Sequence, residues 1–468
     1  MARKKKIINE IEILDFAAEG KCLTKHDGQV IFITTPNVAP GDIVKIQINR
    51  KKKSFSEAIV LERLKPSPMR LDPFCSHFGV CGGCKWQHIP YDRQLQQKEQ
   101  QVKDQLIRLG KIDIGQFHSI LPSEKTTFYR NKLEFTFANS RWLTREEIGS
   151  GDDMDKDALG FHVPKRFDKV LPIDKCYLQG DPSNAIRDFF KDYAHTSSEP
   201  FYDHVKHEGF FRNLMIRTAS TGETMVVVQF AKKDKELIET CLKSFQQAFP
   251  HITSINYFIN QKRNDSYQDL EPVNFAGKPY IEEEMEGLRF RIGVKSFYQT
   301  NSEQAYNLYK KTREFADISP EDVVYDLYTG TGTIANFVAK QAKKVVGVEY
   351  VEDAIKDAKV NSEVNGLSNT SFYAGNMKEV LNDEFLAKEG APDVIITDPP
   401  RAGMDKEVVE MLLRIKAKRI VYVSCNAATQ ARDIQLLSEI YQVTDVQPVD
   451  MFPHTHHVEN IAKLELKA

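Results

Sequence analysis

From about residue 295 onward the chain alternates strand-like apolar runs with amphipathic helical stretches, and this alternation restricts the possible fold more than any other feature. The runs are VVYDLY (323–328), KVVGVEY (344–350), SFYAG (371–375), DVIITD (393–398) and RIVYVS (419–424). Helical stretches near 333–342, 351–365, 405–416 and 428–440 lie between them. Such alternation predicts βαβ units and a mostly parallel, doubly wound sheet. Ligands of these sheets sit outside the carboxyl ends of the strands. Asp326, Glu349, Asn376, Asp398 and Cys425 all fall at those ends.

Upstream the texture differs. Residues 7–64 hold short alternating runs separated by Gly28, Pro40-Gly41 and Asp42, which predicts a small β-barrel. A proline-rich linker, LKPSPMRLDP, follows at 64–73, then a cysteine-rich segment at 75–88 and a helix over 91–110 closed by Gly110. Residues 128–138 and 210–230 are strand-rich, and 143–160 is a polar loop. The organisation expected is therefore a barrel over 1–66, a central α+β domain over 67–290 and an α/β domain over 291–468. The 91–110 helix is expected to pack on the last of these.

The formal net charge is only −2, but residues 1–70 carry 14 Lys and Arg against 8 Asp and Glu. Arg3 to Lys6 and Arg50 to Lys53 are the densest runs. Basic blocks at the edge of a barrel suit a phosphate backbone. The N-terminal stretch lacks the apolar core of a signal peptide, and no run reaches eighteen apolar residues, so no membrane partner is expected. Seven cysteines, an odd number in a long chain, argue against a secreted disulfide framework and for the cytoplasm. Nothing calls for a large apolar interface or an obligate protein partner, so a monomer is expected.

The stretch YDLYTGTGTIA (325–335) follows a strand and opens a helix. Gly330 and Gly332 permit a tight turn and close backbone approach to a ligand. The third glycine of the dinucleotide fingerprint is missing, and Glu349 ends the next strand, placed to accept from two ribose hydroxyls. With Asn376 after the third strand, this fits S-adenosylmethionine (SAM) better than NAD. The loop TDPPRAGM (397–404) is made rigid by two prolines. Amino-nitrogen methyltransferases follow a similar Asp-Pro-Pro with an aromatic residue, whereas Arg401 follows here.

Cys425 lies one strand over from Asp398. An amine acceptor needs no covalent helper, but C5 of a uracil is too electron-poor to attack a sulfonium. Addition of a thiolate at C6 makes C5 nucleophilic, and a base must later remove the C5 proton. Glu459, in MFPHTHHVENIAKLEL (451–466), is the candidate base. His454, His456 and His457 stand beside it without the carboxylate spacing of a metal site and are expected to line the pocket or the RNA path.

The motifs DLYTGTGT, DPPRAG, VYVSCN, FPHTHHVE and KSFYQTN together resemble those of the SAM-dependent RNA uracil-5-methyltransferases, in particular the 23S ribosomal RNA branch. That resemblance implies a Rossmann-like SAM methyltransferase domain, Cys425 as nucleophile and Glu459 as proton acceptor. It also implies SAM contacts from Gln299, Tyr328, Thr333, Glu349, Asn376 and Asp398. Tyr328, Thr329 and Tyr298 stand where the family pattern has Phe, Cys and Phe.

Cys75, Cys81 and Cys84, spaced C-x5-C-x2-C in a loop rich in glycine, point to metal thiolates. Cys176, Cys22 and Cys241 are candidates for a fourth ligand. The resemblance points to Cys176 and a [4Fe–4S] cluster, and structural zinc is the physical rival. The barrel resembles a TRAM domain, an RNA-binding module of OB-like shape. The function expected is methylation of C5 of a specific uridine in 23S rRNA. The alternatives are the same chemistry on transfer RNA, or a non-catalytic RNA-binding or ribosome-assembly protein.

Overall fold

A computed structural model of the chain describes residues 6–150, 154–197 and 199–468. The basic residues Arg3 to Lys5 lie outside the described residues. Three larger sheets and one hairpin make up the strands. Several runs read from the sequence have the expected extents to within two residues. The 143–160 stretch departs from expectation, since Arg145–Ser150 is helical; residues 151–153 lie outside the described part.

The first sheet spans Ile7–Lys65 and closes on itself. Residues 7–12 pair with the strand Ile43–Lys51, and residues 15–16, one kink later, pair with Cys22–His26 at the other edge. Closure removes both exposed edges. Alternate residues Ile31, Ile33, Val44, Ile46 and Ala58 fill the interior. Buried Asp42 then fixes the linker, accepting from Ser67 N at 2.9 Å and Arg70 Nε at 3.0 Å. The exposed run Lys51–Lys53 sits at a hairpin end.

The central sheet has seven strands between Lys132 and Gly277. The helices Ser183–Thr196 and Lys235–Ala248 cover one face through Ile186, Phe190, Ile238, Leu242 and Phe245. Residues of the opposite face, Met215, Met225, Val227 and Phe258, join the core of the third sheet.

That third sheet carries eight strands: β1 (Ile114–Phe117), β2 (Val323–Leu327), β3 (Lys344–Glu349), β4 (Thr370–Ala374), β5 (Val394–Thr397), β6 (Arg419–Ser424), β7 (Tyr441–Val449) and β8 (Glu459–Leu466). Their order is β4-β3-β2-β5-β6-β8-β7-β1. All pairings are parallel except those of β8, which runs against β6 and β7. Both faces are covered, and this explains the unbroken apolar run in β6. Val421 and Val423 pack with the helix Ser302–Ala316, while Ile420 and Tyr422 pack under Lys406–Ile415 and Ala427–Leu437. Burying each such side chain contributes about 1.5–3 kcal/mol.

The helix Tyr91–Lys103 docks on this second face, with Val102 and Leu106 inside its core. A buried ion pair, Lys98 Nζ to Asp450 Oδ1 at 2.5 Å, ties it to the loop between β7 and β8. No helix among the described residues is long and apolar enough to cross a membrane.

Candidate active site

The reversed direction of β8 organises the site. β6 ends at the carboxyl rim of the sheet with Ser424, which pairs with Asn460. Because β8 runs the other way, its first residue, Glu459, starts at that same rim. The register therefore sets Cys425, next after Ser424, across from Glu459. The Cys425 backbone turn is held by Asn426, whose side chain caps the following helix at Ala428 N (3.2 Å) and donates to Arg401 O (3.1 Å). The rigid Asp398–Gly403 loop is thereby bound to the cysteine loop.

Three carboxyl groups gather at this rim: Asp326 ending β2 and Glu459, both buried, and Asp398 after β5, half-buried. Among the described residues none of the three makes an ion pair with Lys or Arg within 4.0 Å. Burial, and the charge of Asp398 next, raise Glu459 to about 8, with Arg401 opposing. Burial and then Asp326 raise Asp398 to about 7. Burial is also the main reason Asp326 stands at about 7, although Thr329 Oγ1 (2.5 Å) and Ala335 N (2.9 Å) both donate to its Oδ2. Its Oδ1 is buried without a partner. Burial also pushes the Cys425 thiol to about 11; Glu459 and Asp398 add to this, and the Arg401 guanidinium works against it. A group of acids with no cation in direct contact is costly by itself. It suits a ligand that brings a positive charge.

The cofactor-side residues gather on the same rim. The loop after β2 has positive φ at Tyr328 (63°), Gly330 (55°) and Gly332 (74°). A Cβ on Gly330 would meet nothing within 4 Å, so the loop faces open space there. Glu349 closes the loop by accepting from Gly330 N at 3.2 Å and Val351 N at 3.0 Å. Gly375 N donates to Glu349 O, bringing Asn376 alongside, and Asn376 caps a short helix at Lys378 N. Thr333 starts the helix after the loop, with its hydroxyl 3.3 Å from that of Thr331. Thr331 Oγ1 reaches Phe297 O, and Gln299 O accepts from Asn131 Nδ2 at 2.8 Å. Asp398 N donates to Leu327 O. The loop, the acids and Asn376 are therefore neighbours, in an arrangement that can hold a nucleoside carrying a sulfonium, and Gln299 follows two residues after Phe297, whose carbonyl meets the loop.

Of the three histidines, His454 is buried, and His456 and His457 are half-buried. His454 accepts at its carbonyl from Lys85 N and Trp86 N, and Gln94 contacts both its backbone N and its Nδ1. Burial pulls His454 and His457 down to about 4 and His456 to about 3, so all three are neutral at pH 7. His454 joins the cysteine-rich segment to the loop before β8. Phe297, by contrast, is 68% exposed beside the loop.

Cys75, Cys81, Cys84 and Cys176 line one cavity of about 620 Å³, together with Arg130, Lys132 and Lys175. Cys22 lies in the barrel core and Cys241 on the buried face of the helix Lys235–Ala248. Burial raises all four cavity thiols, Cys81 to about 11 and Cys84 to about 12, and neighbouring thiols add to this at Cys81, Cys84 and Cys176.

Arg401 is the residue that sequence reasoning undervalued. Its place after Asp-Pro-Pro was read only as a missing aromatic, yet its charge acts on Cys425, Glu459 and His457. The signal available was a cation three residues after a strand-end acid. Asp326 was located at a strand end without a role.

Comparison with known proteins agrees with this geometry. Residues 276–467 match the model of the tRNA (uracil-5-)-methyltransferase family. An RNA methyltransferase of Bacteroides thetaiotaomicron is 56% identical over 455 residues, covering 96% of this chain and all of that one. One of Chlorobaculum tepidum is 40% identical over 99% of this chain and 97% of its own. Among solved structures, the Pyrococcus abyssi tRNA (uracil-54, C5)-methyltransferase in complex with S-adenosyl-L-homocysteine superposes with a TM-score of 0.75. It is 29% identical and covers 97% of this chain and 100% of that one. The third sheet is accordingly a Rossmann-like SAM methyltransferase fold, and the chain belongs to the SAM-dependent RNA uracil-5-methyltransferase family.

Proposed function

We propose that this protein transfers the methyl group of SAM to C5 of a specific uridine in 23S ribosomal RNA, through a covalent bond between Cys425 and C6 of the base. The observation that carries the reading is the opposition of Cys425 and Glu459 across β6 and β8, on the rim that also bears the Gly330 loop. Gln299, Tyr328, Thr333, Glu349, Asn376 and Asp398 would hold SAM, which supplies an electrophilic methyl beside the buried acids. The cationic sulfonium would lower the cost of ionising Asp326 and Asp398.

The target base must leave its stack to reach Cys425. Cys425 adds to C6 as a thiolate, favoured by the Arg401 guanidinium, and the C5–C6 π electrons move toward C4 and O4. C5 then bonds to the methyl carbon as the sulfur–carbon electrons return to sulfur. Glu459 takes the C5 proton, the C–H pair reforms C5=C6, and the Cys425 sulfur leaves with its electrons. The raised Glu459 is well matched to accepting a carbon-bound proton near neutral pH.

Cys75, Cys81, Cys84 and Cys176 are read as the ligands of a [4Fe–4S] cluster. A single tetrahedral zinc would hold its sulfurs about 3.8 Å apart. Among the described residues, two groups of three donors have all ligand atoms within 4.8 Å of one another, and no cysteine belongs to either. The choice of a [4Fe–4S] cluster over zinc rests on the family resemblance, since four thiolates suit either. Broad visible absorbance lost on oxidation separates the two. The barrel is read as a TRAM-like RNA-binding module and the protein as a cytoplasmic monomer.

Transfer RNA is the second reading. It is favoured by the Pyrococcus enzyme, whose named substrate is tRNA and which matches 97% of this chain, barrel included. The barrel alone therefore does not discriminate. Incubating the protein with methyl-labelled SAM and either unmodified 23S rRNA or unmodified tRNA decides. Label in 23S rRNA at C5 of uridine is expected. Label in tRNA alone moves the substrate, and label in neither overturns the enzyme reading.

A further inference from the structure

Away from the rim, three side chains from three separate segments converge. His162 ends the strand Ala158–His162, His204 lies in the turn after Tyr202, and Asp265 lies in the loop after the strand Ser254–Ile259. Their ligand atoms all lie within 4.8 Å of one another. Neither histidine forms an ion pair with Asp265 within 4.0 Å. The two imidazole rings meet edge to face, with centroids 5.0 Å apart. We propose that His162, His204 and Asp265 form a binding site for a divalent transition metal of the zinc class, with ligands separate from those of the methyl-transfer site and from the four cysteines, whose cavity His162 also borders.

Each partner is prepared for this role. His204 Nε2 lies 3.0 Å from Phe137 O, which fixes the ring as the donor there and leaves the Nδ1 lone pair for a metal. His162 Nδ1 is buried with no hydrogen-bond partner. Burial lowers both histidines below their ordinary value, so they are neutral and competent as ligands at pH 7. Asp265 is not a loose surface acid. Fully buried Arg212 holds the whole loop, donating to Asn260 O (2.7 Å), Lys262 O (2.7 Å), Asn264 O (3.0 Å) and Asp265 Oδ1 (2.7 Å). The guanidinium itself sits on the Tyr202 ring at 4.3 Å. Two imidazoles and one carboxylate suit zinc, with ligand distances of about 2.0–2.2 Å and a fourth position open to water. Tetrahedral ligands at that radius are about 3.4 Å apart, so modest side-chain rotation closes the set. A bound ion would tie the 204 turn and the 260–265 loop to the edge of the central sheet.

The probe is Co²⁺ added to full-length protein with its cysteine site left as purified. One equivalent is expected to bind with a weak visible d–d spectrum and without the strong near-ultraviolet band of cobalt–thiolate bonding. Affinity is expected to fall at least tenfold in His162→Ala/His204→Ala and in Asp265→Asn, while SAM binding is unchanged. The Asp265→Asn variant, nearly isosteric, keeps the test valid should the double variant fold poorly. Absence of Co²⁺ binding at micromolar concentration, a thiolate band, or undiminished binding in Asp265→Asn overturns the site. Methyl transfer to RNA is a separate readout and does not bear on this result.

Discussion

The buried acids give a stability test that needs no RNA. Asp326 is 1% exposed, and one of its oxygens has no partner. Its carboxyl stands at about 7 against an ordinary 3.8. At about 1.4 kcal/mol for each tenfold change, that difference corresponds to about 4 kcal/mol of cost for the ionised form. The sign follows from linkage. The folded carboxyl is raised, so between pH 4 and 7 the folded state binds more protons than the unfolded chain. Stability due to this group is therefore present at low pH and is lost as pH rises toward 7. Asp326→Asn removes the titration while preserving shape. Urea unfolding without SAM at pH 5 and pH 8.5 should show the variant gaining on the wild type by about 2–4 kcal/mol at the higher pH, less the weakened bonds to Thr329 and Ala335. Asp398, which the Asp326 charge helps to raise, is relieved in the variant as well, so the gain at pH 8.5 includes that relief. A variant no better relative to wild type at pH 8.5 than at pH 5 refutes the claim that this acid is ionised at its own expense. The same variant should lose SAM affinity, since the cation then has one charge fewer to meet.

Lys98→Met leaves Asp450 buried and unpaired, and thermal unfolding should report a loss of about 3–5 kcal/mol; a variant within about 1 kcal/mol of wild type means that the pair does not hold the helix to the rim. The rate of methyl transfer at saturating SAM should rise with pH through a group near 8, because Glu459 accepts only when ionised and Cys425 attacks only as a thiolate. A rate that falls between pH 7 and 9, with folding intact, contradicts the assignment of the base.

Much of the catalytic sheet is legible because its strands are buried on both faces and read as β-branched runs. Its glycine loop and strand-end acids are legible because each follows such a run at fixed spacing. Strand β1 is not, since Ile114–Phe117 is short and half-exposed and joins the sheet only by pairing with β7, more than three hundred residues away. The Lys98–Asp450 pair is equally distant in sequence and leaves no local trace. Cys425 and Glu459 could each be named from the sequence, but their opposition depends on β8 running antiparallel, which no local pattern encodes. The role of His454 as a joint leaves no trace in the sequence, because its backbone and ring contacts are with Lys85, Trp86 and Gln94, more than three hundred residues away.

The most direct test of the covalent route is a trapping experiment with Glu459→Gln, which can still attack and methylate but cannot take the C5 proton. Incubated with SAM and its RNA, this variant should accumulate a denaturation-resistant protein–RNA adduct in which the peptide containing Cys425 is bonded to a uracil that carries the transferred methyl at C5. The adduct should vanish when Cys425→Ala is added. An adduct on any other residue, or full turnover by the Cys425→Ala protein, contradicts the account.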